Sequence, residues 1–432
     1  MKKAMIYGLG ISGTGAKQLL EKEDYETIVV DDKKAMTSEE ALKHLDGLEF
    51  FIKSPGIPYN DFVKEVQKRG IKILDEIEIA YNYMIKKGLK TKIIAITGTN
   101  GKSTTTAKIS DMLNHAGYKA AYAGNIGRSL SEVLLKEKDL DFISLELSSF
   151  QLENVENFKP YISMIINMGP DHIERYKSFD EYYDIKFNIT KNQTEDLYFI
   201  ENIDDVEIEK RAKQIKAKRI SVSKFKKADI FVKNDKICHG ENTIIDVDKL
   251  SLKGIHNLEN TLFMVATAEI LKIDKEKLKE FLMIATPLEH RTELFFNYGK
   301  LKFINDSKAT NVDSTKFAIQ ANKNSILICG GYDKGVDLAP LAEMIKKNIK
   351  EVYLIGVIAD KIESELKKIG YEDSRIHKLV NIENSLQDMK KRFTKDSDEV
   401  ILLSPATSSY DQFNSFEHRG KVFKELVLKI FG

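Results

Sequence analysis

The chain has 432 residues, enough for about three domains, and its 42% hydrophobic and 31% charged content is that of a globular protein, not a disordered or fibrous one. Lys+Arg (67) and Asp+Glu (66) nearly cancel to a net charge of +1, which argues against a nucleic-acid binder that works mainly through phosphate contacts. Cys238 and Cys329 have no partner motif and read as reduced thiols. No apolar run approaches the ~20 residues needed to span a bilayer.

Short apolar runs alternate with longer amphipathic segments, the pattern of βαβ units and parallel sheets. The first block opens on Ala4–Tyr7, which reads as a strand and not as an export signal. A glycine turn, Gly8-Leu9-Gly10-Ile11-Ser12-Gly13, follows, then a helix from about Thr14 to Glu21 and a strand Thr27–Val30 ending at Asp31-Asp32. This spacing fits a dinucleotide fingerprint, in which glycines admit a pyrophosphate and the acid holds a ribose. A UDP-sugar presents the same chemistry as a nicotinamide cofactor, and glycines needed only for helix–strand packing would look alike. The block closes near Lys86-Lys87-Gly88-Leu89-Lys90, which reads as a linker.

The second block carries the strongest signal. Strand Lys92–Ile96 runs into Thr97-Gly98-Thr99-Asn100-Gly101-Lys102-Ser103-Thr104 and then a helix. Such a turn aims backbone N–H groups and a helix N-terminus at a phosphate; Lys102 would reach the outer phosphates, and the hydroxyl of Ser103 or Thr104 can ligate Mg²⁺. Ile96 stands where the usual pattern has a glycine, so Gly98 must supply the turn. Strands Phe142–Leu145 and Ile162–Ile166 end at Glu146 and at Asn167-Met168-Gly169-Pro170-Asp171-His172. Glu146, at a strand end beside the loop, is a candidate Mg²⁺ ligand. His172 alone reads as a structural hydrogen-bonder as readily as a ligand, and Lys186 reads as an amphipathic side chain on a helix surface. A third block starts near Pro287 and repeats the alternation, with strands near Leu301–Ile304, Ser325–Cys329, Glu351–Ile355 and Glu399–Leu403. The expected class is therefore α/β: a Rossmann-like N-terminal domain (1–90), a central P-loop ATPase-like domain (91–286) and a Rossmann-like C-terminal domain (287–432).

Taken in order, the loop at Thr97–Ser103, Glu146-Leu147-Ser148-Ser149-Phe150-Gln151, Asp171-His172, Gly254-Ile255-His256-Asn257-Leu258-Glu259-Asn260, His290-Arg291 and Asn305-Asp306-Ser307-Lys308-Ala309-Thr310-Asn311 resemble the Mur ligases over nearly the whole chain. These are ATP-dependent amide-bond ligases of peptidoglycan precursor synthesis, and the Ile96 departure is shared with their pattern. Gly8–Gly13, Ser54-Pro55-Gly56-Ile57, Leu403-Ser404-Pro405-Ala406 and Asp411-Gln412-Phe413 make the D-glutamate-adding branch the most similar.

The resemblance implies roles residue by residue. Ile11, Ser12, Asp31, Asp32, Ser54, Pro55 and Gly56 would hold the UDP part of the substrate, with Asn125, Ser148, Gln151 and His172 at its muramoyl-alanine end. Gly98, Thr99, Asn100, Gly101, Lys102, Ser103 and Thr104 would cradle the ATP phosphates, with Asn257 and Asn260 on adenine and Arg291 and Asp306 completing the nucleotide site. Ser103 and Glu146 would bind one Mg²⁺; His172 and Lys186, the latter carbamylated as in relatives, would bind a second. D-Glutamate would meet Lys308, Thr310, Lys334, Ser409 and Phe416. Lys102, His172 and Lys186 would form the catalytic set. The expected protein is cytoplasmic, acts on small molecules in cell-wall biogenesis and, on its charge balance and short apolar runs, binds neither nucleic acid nor membrane; nothing in its composition demands an oligomer, so a monomer is the default, and its third domain is expected to close on the second before chemistry. A nicotinamide-dependent oxidoreductase would leave the Lys102 loop unexplained, and a ligase for another amino acid or a folate would not need the third-domain residues.

Overall fold

A computed structural model describes residues 2–170, 175–333 and 335–432. The chain forms two compact units, Met1–Thr286 and Pro287–Gly432. Among the described residues, two sheets lie in the first and one in the second.

The N-terminal sheet comprises β1 (Lys3–Tyr7), β2 (Glu26–Val30), β3 (Leu48–Lys53) and β4 (Ile73–Leu74), in the order β2-β1-β3-β4 with every pair parallel. Alternate side chains on a strand point to opposite faces. Ala4 and Ile6 accordingly pack with Ala16, Leu19 and Leu20 of one helix, while Met5 and Tyr7 pack with Phe62 and Val63 of another. The first helix spans Ile11–Lys22, beginning three residues before the expected Thr14. The reason is Gly13. A side chain there would run into the carbonyl of Gly8, so only glycine lets a helix start this close to the strand end.

The central sheet holds β5 (Lys92–Thr97), β6 (Ala120–Gly124), β7 (Phe142–Glu146), β8 (Ile162–Ile165), β9 (Tyr198–Asn202), β10 (Lys218–Ser223), β11 (Ile230–Lys233), β12 (Lys236–His239) and β13 (Asn242–Asp246). Its order is β13-β12-β11-β10-β9-β8-β5-β7-β6. It is parallel from β6 to β11 and ends in an antiparallel meander through β12 and β13. β5, the strand that feeds the glycine loop, lies between β7 and β8 with Ile96 opposite Glu146 and Thr97 opposite Ile165. The chain therefore leaves all three strands at one level of the sheet, and the loops that follow converge there.

Helix Glu76–Lys86 ends in an exposed turn at Lys87-Gly88, yet the N-terminal and central sheets share one compact unit. The joint is a set of buried carboxylates at the start of helix Glu76–Lys86. Asp75 accepts from the backbone and amide of Asn154 at 3.2 and 3.1 Å, Glu76 from the Ser131 N–H at 2.6 Å, and Glu78 from the N–H groups of residues 156, 157 and 158. Burial pushes the carboxyls of both Asp75 and Glu76 up to about 7, against the donors that face them. A carboxyl whose folded-state pKa lies above its unfolded value stabilises the fold fully below the unfolded value, and that contribution is lost as pH rises to the folded one. Glu76→Gln should therefore shrink the loss of unfolding free energy between pH 5.5 and 8 by about 2 kcal/mol. Urea titration at the two pH values checks this, and an unchanged pH dependence would refute it.

The C-terminal unit has β14 (Glu293–Tyr298), β15 (Leu301–Asn305), β16 (Ser325–Gly330), β17 (Ile349–Ile355), β18 (Ile376–Lys378) and β19 (Val400–Leu403), ordered β14-β15-β19-β16-β17-β18. Only β14 runs antiparallel, hairpinned to β15. Helices cover both faces: one core gathers Leu327, Leu341, Leu354 and Ile362, and the other Phe303, Ile401, Phe423 and Phe431. The four strands expected from the sequence are all present within two residues of their bounds, and helix Lys275–Ile284 stops ahead of Pro287.

Candidate active site

The loop after β5 has the geometry of an anion cradle. Gly101 caps helix Lys102–His115 with φ +82°, a left-handed conformation that favours glycine, and a side chain there would strike the Asn260 amide. Ser103 and Thr104, both buried, lie in the first turn of that helix, where backbone N–H groups lack intrahelical acceptors and the dipole favours negative charge. The Lys102 ammonium folds over the loop, donating to the carbonyls of Gly98 (2.9 Å) and Thr99 (2.8 Å). Thr99 and Asn100 are pinned from the β8 end: their N–H groups donate to the Asn167 carbonyl (2.9 Å) and to Asn167 Oδ1 (2.8 Å).

Glu146 is buried at the tip of β7, and its Oε1 accepts from the Asn125 amide at 2.9 Å. Two residues expected at one reaction centre thus touch. A hydroxyl (Ser103, in the helix turn that follows β5) and a carboxylate (Glu146, at the end of neighbouring β7) are the hard oxygen donors that Mg²⁺ prefers, so the residues fit that ion. Lys186 is the clearest departure from the residue-level reading. It is not a surface side chain of helix Phe179–Phe187 but 1% exposed, its Nζ 4.7 Å from the Tyr182 ring centre and donating to the Gly98 carbonyl at 2.9 Å. Helical amphipathicity could not reveal this, because the lysine is buried against a loop 88 positions away. Asn257 and Asn260 share one face of helix Ile255–Leu271, with Nδ2 of Asn260 3.4 Å from Oδ1 of Asn257. His172 lies outside the described residues.

The proposed UDP-binding residues also converge. Asp31 accepts from the Leu9 N–H (2.8 Å) and the Lys33 N–H (3.1 Å), and these bonds, the first foremost, hold its carboxyl below the usual range. Asp32 accepts from Ser38 N–H (2.7 Å) and the Tyr7 hydroxyl (3.0 Å). The Ser54 hydroxyl donates to the Gly8 carbonyl at 2.7 Å, while Ile11 at the turn is 61% exposed. Ser148 and Gln151 close on each other, Gln151 Oε1 accepting from the Ser148 N–H (3.1 Å) and hydroxyl (3.2 Å).

Sequence reasoning missed the brace between these two groups. Arg175 grips Glu153 through Nε (3.0 Å) and Nη2 (2.9 Å), donates to the Pro55 carbonyl at 2.8 Å, and lies 4.0 Å from the Phe150 ring centre. Buried Lys53 pairs with the same Glu153 at 3.2 Å. A lysine inside the apolar run Phe50-Phe51-Ile52-Lys53 was the one available signal.

In the second unit, Asp306 accepts from the Thr292 N–H (3.0 Å) and the Ser404 hydroxyl (2.7 Å); burial pushes its carboxyl up to about 6, and nearby Arg291 opposes that shift. Lys308 donates its N–H to the His290 carbonyl at 3.0 Å, and its ammonium lies 5.4 Å from the Phe416 ring centre. Thr310 follows one turn on, its N–H to the Lys308 carbonyl at 2.9 Å. Buried Ser409 anchors the other side, its carbonyl accepting from Phe413 N–H at 2.8 Å. Arg419, also missed from sequence, ties the sides together: it donates to the Ser307 hydroxyl (3.0 Å) and carbonyl (2.9 Å) and, through both terminal nitrogens, to the Thr407 carbonyl at 3.1 Å. Lys334 lies outside the described residues.

A mostly parallel sheet whose strand-end loops carry a glycine cradle, a lysine, hydroxyls and a buried carboxylate has the plan of a phosphate-loop nucleotide-binding protein. The comparisons bear on which. Residues 96–268 match the Mur ligase middle domain. The UDP-N-acetylmuramoylalanine–D-glutamate ligase of Fusobacterium nucleatum is 94% identical over 432 residues, covering all of both chains, and that of Natranaerobius thermophilus is 36% identical over 100% of this chain and 98% of the relative. This chain belongs to the Mur ligase family, among the UDP-N-acetylmuramoylalanine–D-glutamate ligases. Solved structures share its fold: the UDP-N-acetylmuramate-alanine ligase MurC of Thermotoga maritima (TM-score 0.63, 18% identity, 99% of each chain) and MurF of Acinetobacter baumannii (TM-score 0.64, 16% identity, 91% of this chain and 87% of that one).

Proposed function

We propose that this chain uses ATP to join D-glutamate to the terminal carboxylate of UDP-N-acetylmuramoyl-L-alanine, as a cytoplasmic monomer, in peptidoglycan precursor synthesis. The observation that carries the reading is the full-length 94% identity to the Fusobacterium nucleatum relative. Residues 1–90, 91–286 and 287–432 serve in it as the UDP-substrate, ATP and amino-acid domains. No helix among the described residues is long and apolar enough to cross a membrane.

A carboxylate does not condense with an amine at neutral pH, because hydroxide is a poor leaving group. Transfer of the γ-phosphoryl group forms a bond between the alanine carboxylate oxygen and phosphorus, breaks the bond to the β,γ-bridging oxygen, and releases ADP. The amine of D-glutamate then attacks the acyl carbon, and the tetrahedral intermediate expels inorganic phosphate. Both reactants of the first step are anions. Lys102 and the N–H groups at the start of helix Lys102–His115 offset that repulsion. Mg²⁺ on Ser103 and Glu146, with a second ion on His172 and a carbamylated Lys186, would add to the neutralisation. Asn257 and Asn260 are assigned to adenine, and Arg291 and Asp306 to the nucleotide, on the resemblance alone. Asn125, Ser148, Gln151 and His172 hold the acyl end, while Ile11, Ser12, Asp31, Asp32 and Ser54-Pro55-Gly56 hold UDP. Lys308 and Lys334 pair with the two carboxylates of D-glutamate, with Thr310, Ser409 and Phe416 lining its pocket.

Phosphate release measured over a panel of amino acids tests the reading. ATP-dependent release should require UDP-N-acetylmuramoyl-L-alanine and D-glutamate together. Equal release with L-glutamate, a diamino acid or a folate acceptor would overturn it.

A further inference from the structure

Helix Ile255–Leu271 reaches the phosphate loop twice. The Asn260 amide lies against Gly101, as noted. The second contact is indirect and runs through Glu259, a residue given no role above. Its Oε1 accepts from Asn167 Nδ2 at 2.8 Å, and its Oε2 accepts from Asn202 Nδ2 at 3.3 Å and pairs with the Lys224 ammonium. Glu259 and Lys224 are both largely buried, with side chains 12% and 14% exposed.

The chemistry of these groups fixes a direction. An ionised carboxylate only accepts hydrogen bonds. Asn167 must therefore turn its NH₂ toward Glu259 and its oxygen away, and that oxygen is the one that receives the Asn100 N–H. With the Asn167 backbone carbonyl holding the Thr99 N–H, two of the loop's donors are committed to one asparagine. Thr99 and Asn100, expected in the phosphate cradle, therefore give their N–H groups to Asn167, while the first helical turn at Lys102–Thr104 keeps N–H groups without intrahelical acceptors. Lys224 and Asn202, donating to the far oxygen, hold the carboxylate in its orientation.

We infer that Glu259 is a positioning residue for nucleotide binding: by dictating the orientation of the Asn167 amide, it holds Thr99-Asn100 back so that the helix terminus at Lys102–Thr104 meets the phosphates. The inference rests on the nucleotide-binding reading of that loop and adds to it a residue that touches no nucleotide. In Glu259→Gln the acceptor becomes an amide that can rotate. Asn167 is then free to flip, and a flipped NH₂ would face the Asn100 N–H, donor against donor.

The test uses the full chain and isothermal titration with Mg²⁺ and a non-hydrolysable ATP analogue. E259Q should weaken binding, and raise the KM for ATP, about tenfold. The KM for the UDP substrate and kcat at saturating ATP should stay within about twofold of the parent. N167A should weaken the analogue similarly, and E259Q/N167A should be no weaker than N167A, because both act through one contact. Parent-like affinity in either single variant, or additive losses in the double, overturns the inference. Should E259Q fail to fold, N167A alone decides. A parent chain that does not bind the analogue would instead sink the phosphate-loop reading itself.

Discussion

Lys102→Ala is expected to lower the rate of ATP-dependent ligation by at least about a thousandfold while leaving the fold in place. The Lys102 ammonium sits on the carbonyls of Gly98 and Thr99, at the mouth of the cradle and not within a core cluster, so truncation removes charge without opening an apolar cavity. Its contribution is greatest in phosphoryl transfer, where two anions approach and charge spreads over the transferring oxygens. Cationic groups so placed in phosphoryl-transfer sites contribute on the order of 10³ to 10⁵ in rate. The measurement is phosphate release at saturating substrates together with the melting temperature of the variant. Near-parent turnover by a folded variant would reject the phosphate-loop assignment, and with it the chemistry proposed for the chain.

What made the loop legible was its local character. Strand Lys92–Thr97, the glycines and Lys-Ser-Thr are contiguous, and each imposes its own constraint: an apolar run buried on both faces, a positive φ at Gly101, donors at a helix start. The C-terminal strands were legible for the same reason, as short runs such as Ser325–Gly330 are buried at every position. The meander β11-β12-β13 was not anticipated. Its first turn, Asn234-Asp235, has positive φ at both residues (49° and 56°), a two-residue hairpin turn of the primed type, but its strands are four or five residues long with too little alternation to stand out. β14 was missed for a different reason. It is an edge strand of mixed exposure, and its pairing with β15 depends on the turn at Gly299.

The supporting residues of the site were illegible because their partners are distant in sequence. Nothing around Glu76 announces the Ser131 N–H, nothing around Glu153 announces Lys53, and nothing around Lys186 announces the Gly98 carbonyl. A buried charge in a folded protein needs a partner, but periodicity within a helix or strand cannot name one that the fold brings in from 50 or 100 positions away. Resemblance supplied candidate roles for side chains expected to touch ligands. The braces behind them, Arg175, Glu259 and Arg419, became visible only as geometry.

Arg419 carries the second large effect. Arg419→Met should lower the stability of the C-terminal unit by about 3–5 kcal/mol and its melting temperature by roughly 10 °C. The guanidinium is almost wholly buried, and burial pushes its pKa down to about 10, still far above physiological pH, so it enters the folded state as a cation. Its hydrogen bonds go to the Ser307 hydroxyl and carbonyl and to the Thr407 carbonyl; methionine fills much of the volume but leaves those acceptors without that donor in a buried site. The functional consequence follows from where those acceptors lie. Ser307 precedes Lys308, and Thr407 precedes Ser409 by two residues, in a loop already held with Ala406 at φ +62°. Such a conformation persists in a non-glycine residue only when its surroundings enforce it, and Arg419 is part of that enforcement. Loss of the brace should therefore raise the KM for D-glutamate about tenfold or more while the affinity for a non-hydrolysable ATP analogue changes little. Arg419→Lys, which keeps the charge but not the forked donors, should recover part of the stability and little of the D-glutamate affinity. Differential scanning calorimetry and initial rates over a D-glutamate series measure the two effects. An Arg419→Met protein that melts and binds D-glutamate like the parent would show that the two sides of the pocket are held by something other than this arginine.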